Sequence, residues 1–119
     1  MKKKTFYDIY GQIRRFVRER NWHKFHNPKD MAEAIVIESS ELLELFLWKD
    51  KKQIAKMMSE KKYQEAIREE VADILIYSFQ LVDHMGYDLE KIINEKMKKN
   101  AKKYPLATSK GAPKRHFHV

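Results

Sequence analysis

A chain of 119 residues is one domain by length, long enough to bury a core without covalent staples. It has no cysteine, which excludes disulfides and thiolate metal sites, so any metal must be held by carboxylates or histidines. The net charge of +8 sits at one end: residues 1–90 balance 16 Lys/Arg against 16 Asp/Glu, whereas residues 91–119 carry nine basic residues against Glu95 alone. Such a segment suits phosphate, in nucleic acid or in a nucleotide's polyphosphate, and equally a solvated lysine face. No apolar run approaches the roughly 20 residues of a membrane span. The opening MKKKTFYD lacks an apolar signal core, so the expected setting is the cytoplasm, with no membrane partner.

Residues 5–20 place Phe6, Ile9, Ile13, Phe16 and Val17 at helical spacing, a first amphipathic helix. The aromatic, histidine-rich connection RNWHKFHNPKD follows. Asn27 before Pro28 is a good N-cap and first-turn pair, with Asp30 adding acid near the helix start. The second helix is expected to run to about Lys49. Residues 50–58 are polar enough for a linker, with room for a short helix around Ile54, Met57 and Met58. Ser59 and Glu60 open a third helix to about Met85, with Gly86 as its stop. Asp88 can cap a fourth helix, ended by Pro105. The expected architecture is all-α and four-helix bundle-like, with a domain over 1–104 and a basic tail over 105–119.

The second helix carries an anomaly. At 100° per residue, Met31, Ala34, Ile35, Leu42 and Leu45 all fall within about 60° of Glu38, which places that carboxylate at the centre of the apolar stripe. Glu41 falls at the stripe's edge. The third helix repeats the arrangement: Glu70 shares its stripe with Tyr63, Ile67, Ile74, Tyr77 and Leu81, and Asp73 has the same offset from Glu70 that Glu41 has from Glu38. An ionised carboxylate on a core-facing stripe is costly unless it is paired or bound to a metal. Acids three residues apart emerge on one helix face and can share a cation. Four acids from two facing helices supply the oxygen ligands and negative charge of a Mg²⁺ site. Neutralisation by Arg or Lys from a neighbouring helix is the alternative. A di-iron carboxylate bundle is disfavoured, because its E-x-x-H motif is absent.

The ESSE of residues 38–41, then twenty-eight residues, then the EVAD of 70–73, resembles the E-x-x-E…E-x-x-D signature of the MazG-type all-α nucleotide pyrophosphohydrolases. Within that superfamily the chain is similar to the dCTP pyrophosphatase branch. ERNWHKFHNPK (19–29) resembles its ERDW-x-x-FH-x-P stretch, and ESSELLELFLWK (38–49) its E-x-x-E-L-x-E-L-F-Q-W-K run. EEVADILIY (69–77) resembles its EEL-x-DVLIY, KMKKNAKKYP (96–105) its KM-x-x-N-x-x-x-YP, and SKGAPK (109–114) its closing S/R-G-x-x-x-K. Departures occur at Ile37 and Ser40, where the branch has glycines, and at Ile13, where it has a histidine in the first helix thought to help read the base.

The resemblance implies Mg²⁺-dependent cleavage of a nucleoside triphosphate, dCTP-like, to the monophosphate and pyrophosphate, by a homodimer or a homotetramer. It implies Glu38, Glu41, Glu70 and Asp73 as Mg²⁺ ligands, Lys96, Asn100 and Tyr104 as phosphate contacts, and Trp22, Trp48 and Tyr77 as base-pocket residues. His26 and Asn27 are further candidate readers of the base. Glu41, at the stripe's edge, is the candidate catalytic base for orienting or deprotonating the attacking water. Lys96, Asn100 and Lys103 recur at helical spacing, so one face of the fourth helix can meet phosphate oxygens. The competing expectation is a basic helical nucleic-acid-binding module with structural acids. The acidic quartet favours the enzyme, so nucleic acid is not the expected partner.

Overall fold

The computed structural model describes residues 2–111, and among them every regular element is a helix. Two compact units divide at Gly86, and each is described by itself. In the first, α1 (Phe6–Glu19) opens with a reciprocal capping box: the Asp8 amide donates to Thr5 Oγ1 at 3.1 Å, and the Thr5 amide to Asp8 Oδ2 at 2.8 Å. Asn21, at φ 55°, turns the chain into a 3-10 segment, Trp22–Lys24. Next, α2 (Pro28–Glu44) starts as its sequence predicts, with Pro28 in the first turn and Asn27 Oδ1 accepting the Asp30 amide at 2.9 Å.

The end of α2 differs from the expected Lys49. The helix stops at Glu44 and tightens into turns, with Leu45 and Phe46 amides donating three residues back. The reason lies downstream. Asp50 and Gln53 form a second capping box, each accepting the other's amide at 2.8 Å, so the chain must leave helical geometry before Asp50. Trp48, at φ 65°, makes that break. The polar stretch is thus a helix in its own right, α3 (Lys51–Met58), with Met57 buried. Ser59 closes α3, its hydroxyl donating to the Lys56 carbonyl at 2.7 Å, and Glu60 takes the N-cap position of α4 (Lys61–Met85). Gly86 ends α4 at φ 68°, a conformation glycine adopts without Cβ strain.

Helix α4 is the hub of this unit. Its main partner is α2, and α1 and α3 pack against it as well. Phe79 of α4 anchors α1, with the Phe6 and Tyr10 rings edge-on at 5.3 and 5.9 Å. Among the described residues Val17, Met31 and Met57 complete the buried apolar residues of the unit. Helix α2 also carries apolar side chains on its outer side, where Val36 and Leu43 are 63% and 60% exposed.

In the second unit, Asp88 caps α5 (Leu89–Lys103), its Oδ1 accepting the Lys91 amide at 3.0 Å. A single helical turn, α6 (Leu106–Ser109), follows Pro105 where a loose tail is expected. The second half of the SKGAPK motif, residues 112–114, lies outside the described residues, as does the rest of the expected basic tail beyond 111.

Candidate metal centre

The α2–α4 pairing brings Glu38 and Glu41 against Glu70. Each offers one carboxylate oxygen, and the three oxygens lie within 4.8 Å of one another. Oxygens around a Mg²⁺ ion at about 2.1 Å are separated by about 3 Å when adjacent and about 4 Å across, so three oxygens within 4.8 Å need only small side-chain adjustments to share one ion. Glu38 and Glu70 are half-buried, and Glu41 is exposed at the rim. Glu70 Oε2 is buried with no hydrogen-bond partner. A buried carboxylate oxygen without a donor is costly, and a cation relieves that cost where a water-starved pocket cannot.

Counter-ions from neighbouring helices do not do this work. Among the described residues the ion pairs use Asp83, Glu19, Glu33 and Glu65, none of the acidic quartet. The carboxylates press on each other instead. A hydrogen bond with Glu70, then burial, then the charges of Asp73 and Glu70 push the Glu38 carboxyl above its ordinary value. Glu41 is pushed up by its hydrogen bond and charge contact with Glu38. This is the electrostatics of a site built for positive charge. Asp73, half-buried one turn beyond Glu70, stands outside the three-oxygen cluster, yet close enough for its charge to act on Glu38.

The other sequence-predicted residues are spread more widely. Tyr77 is half-buried on α4, seven residues beyond Glu70 and about 10 Å along the axis. Trp22 is 47% exposed in the 3-10 segment, edge-on to Phe16 at 5.7 Å. Trp48 is 92% exposed in the turn after α2. Lys96, Asn100 and Tyr104 belong to the second unit, where the Asn100 carbonyl accepts the Tyr104 amide at 2.8 Å and closes α5. Asn27 caps α2, and Ser40, one of the departures from the branch pattern, donates to the Val36 carbonyl at 2.9 Å.

His26 lines a cavity of about 200 Å³ that also receives Ile13, Arg14, Arg18, Asp83 and His84. Of this group the sequence singled out only Ile13 and His26, both in connection with the base, because its members come from three elements. The spacing of Arg14 and Arg18, one turn apart on α1, was the available signal. The cavity is not the acidic site: Gln80 on its wall lies ten residues past Glu70, about 15 Å along α4.

Comparisons with known proteins agree with this geometry. A family model described as MazG-like matches residues 34–116. The chain is 35% identical over 108 residues to dCTP pyrophosphatase 1 of Rattus norvegicus, covering 91% of this chain and 64% of that protein. It is 31% identical over 115 residues to dCTP pyrophosphatase 1 of Homo sapiens, covering 97% of this chain and 68% of that protein. The chain therefore spans about two thirds of the length of these curated relatives. The crystal structure of a pyrophosphatase from Archaeoglobus fulgidus superposes with a TM-score of 0.74 at 32% identity, covering 88% of this chain and 98% of that one. An all-helical fold, an acidic cluster shared by two packed helices, and similarity along nearly the whole chain lead to one conclusion: this chain belongs to the MazG-like family, on its dCTP pyrophosphatase branch.

Proposed function

We propose that this protein is a nucleoside triphosphate pyrophosphohydrolase that requires Mg²⁺ and prefers a dCTP-like substrate, releasing the monophosphate and pyrophosphate. The observation that carries the reading is the buried, unpartnered Glu70 Oε2 within 4.8 Å reach of Glu38 and Glu41 oxygens. Three carboxylates gathered together, with those of Glu38 and Glu41 pushed above their ordinary value and no lysine or arginine ion-paired to any of the three among the described residues, fit a divalent cation. Similarity to dCTP pyrophosphatases supports the substrate class.

Glu38, Glu41 and Glu70 would hold the cation, with Asp73 adding charge. When bound, the cation neutralises the polyphosphate and activates water for attack between the α and β phosphates. The protein's own part is division of labour between buried and exposed acids. Glu38 and Glu70, half-buried and facing each other across two rigid helices, fix the position of the charge. Glu41 has one side open to solvent. Its carboxyl, raised by Glu38, is a better proton acceptor than an ordinary glutamate, which suits a base that orients and deprotonates the attacking water. Lys96, Asn100 and Tyr104 of α5 would meet phosphate oxygens, and Trp22, His26, Trp48 and Tyr77 the base.

The functional protein is read as a homo-oligomer, a dimer or a tetramer. Helix α2 exposes Val36 and Leu43 on the side about opposite Glu38, with Ile37 beside them, and neighbouring exposed apolar side chains on one helix face suit a contact with a second copy of the chain. Among the described residues no helix is long and apolar enough to cross a membrane, and a cytoplasmic nucleotide pool is the proposed setting.

The test is direct incubation of the purified protein with Mg²⁺ and each deoxynucleoside triphosphate, followed by product analysis. Monophosphate and pyrophosphate are expected, with dCTP turned over fastest. Absence of turnover on every nucleotide, with Glu38→Gln indistinguishable from the parent, would sink the enzyme reading. Orthophosphate in place of pyrophosphate would exclude cleavage between the α and β phosphates.

A further inference from the structure

The cavity of about 200 Å³ between α1, the 3-10 segment and α4 has walls of unequal chemistry. Most of its charged groups are engaged or stand exposed. Arg14 Nε donates to Asp83 Oδ1 at 2.8 Å, and a terminal guanidinium nitrogen of Arg14 reaches the same oxygen at 2.8 Å. The Tyr10 ring, 5.2 Å from that guanidinium, helps hold it in place. Arg18 and His84 are exposed. Ile13, half-buried on the α1 wall, offers no hydrogen bond where the related branch has a histidine. Two half-buried polar side chains remain, His26 and Gln80, and among the described residues neither has a hydrogen-bond partner.

These groups differ in what they can match. A guanidinium only donates, and an ionised carboxylate only accepts. A neutral imidazole carries its donor and its acceptor on different sides of the ring, whereas an amide carries both side by side. The hydrogen-bonding edge of cytosine has the same pattern, a 4-amino donor next to the N3 acceptor. We propose that Gln80 reads the base, with Oε1 accepting from the 4-amino group of a cytosine-like ring and Nε2 donating to its N3. The inference rests on the dCTP-like substrate of the proposed function and adds the residue that selects it. With Ile13 on α1, recognition of the base edge passes to the α4 wall of the same cavity.

The position of Gln80 along α4 suits that task. It lies seven residues beyond Asp73, about 10 Å along the axis and within about 20° of the same helix face. A deoxyribose with its base spans such a distance, so a nucleotide whose phosphates meet the acidic cluster can bring its base to Gln80. Tyr77, three residues before Gln80, lies between the two ends. Burial first, then the neighbouring charges of His84 and His23, hold the His26 imidazole below the ordinary histidine value, so it meets the base as a neutral ring.

The experiment is a cycle with one deletion on each side of the contact. The full-length protein in Mg²⁺ is titrated by calorimetry with the α,β-imido analogue of dCTP, which resists cleavage between the α and β phosphates. A second titration uses the same analogue without the 4-amino group. The parent is compared with Gln80→Leu and Gln80→Met, two replacements of similar size and good helix propensity, with circular dichroism as the check on fold. In the parent, removing the amino group should weaken binding about tenfold, the loss of one hydrogen bond whose partner is left unmet. In either variant the amino-bearing analogue should bind about tenfold more weakly than in the parent, and removing the amino group should then matter less than about twofold. A variant that is merely loosened would lose affinity for both analogues alike and keep the parental difference between them. That result would overturn the proposal, as would a parent that binds the two analogues equally or not at all. Turnover of dCTP itself is measured separately. Cleavage with an unchanged amino-group penalty in the variants refutes the role of Gln80 alone, whereas base-selective binding without cleavage refutes only the enzyme reading.

Discussion

Replacing Glu70 by glutamine separates what the acidic cluster does for stability from what it does for chemistry. In the metal-free protein Glu70 Oε2 is buried without a donor, next to the oxygens of Glu38 and Glu41. An unmet buried polar atom costs about 1–3 kcal/mol. Glutamine is nearly the same size, removes one negative charge, and brings an amide that can donate to the Glu38 carboxylate. Metal-free Glu70→Gln should therefore be more stable than the parent by about 1 kcal/mol or more, a rise in Tm of about 4 °C or more for a chain of this size. Mg²⁺ should have the opposite effect. Losing one of three carboxylates should weaken the metal by about a hundredfold or more, so the melting-temperature increase the parent gains from Mg²⁺ should be absent in the variant. Hydrolysis should fall with it. The assays are thermal melts in EDTA and in saturating Mg²⁺, alongside nucleotide turnover. A variant destabilised in EDTA, or one that still gains stability from Mg²⁺ as the parent does, would refute the reading of Glu70 as a ligand held in strain.

Three further expectations follow from the same geometry. Glu38 and Glu41 both have carboxyls raised above the unfolded value of 4.5, so the native metal-free protein binds protons more tightly than the unfolded chain. Their contribution to stability is present at low pH and lost as pH rises above 4.5 through the raised folded values. Relative to Glu38→Gln, parent stability in EDTA should decline over that window, and Mg²⁺ should flatten the decline; parallel curves without metal would count against the coupling. Leu43→Asp, on the outer face of α2 at 60% exposure, should leave helix content intact and shift sedimentation towards monomer. An unchanged sedimentation coefficient would place the oligomer contact elsewhere. At Gly86, φ is 68° and an added Cβ meets nothing within 4 Å, so Gly86→Ala should cost about 1 kcal/mol through backbone strain alone, measurable as a lower denaturant midpoint.

Local interactions were readable in the residues because they span only three or four positions. Asn27 with Pro28, Asp88 and Gly86 mark helix ends through bonds to neighbours in the chain, and each end falls where those residues stand. The acidic stripe was readable for the same reason: helical periodicity alone puts Glu38 and Glu70 on their apolar faces. Contacts between distant residues obey no such rule. The α2–α4 packing decided that Glu41 joins Glu38 and Glu70 while Asp73 acts from beside them. The far boundary of α2 was set by a competing cap. Helical periodicity continues through Leu45 to Trp48, but the Asp50–Gln53 box begins a new helix and overrides it. The Arg–His cavity needed all three of its elements in place before any of its residues could be seen as neighbours. The residues of this chain determine which charges lie on which helix face, because that depends on 3.6 residues per turn. Which of those charges meet, and therefore where a cation can sit, depends on how α2 packs against α4.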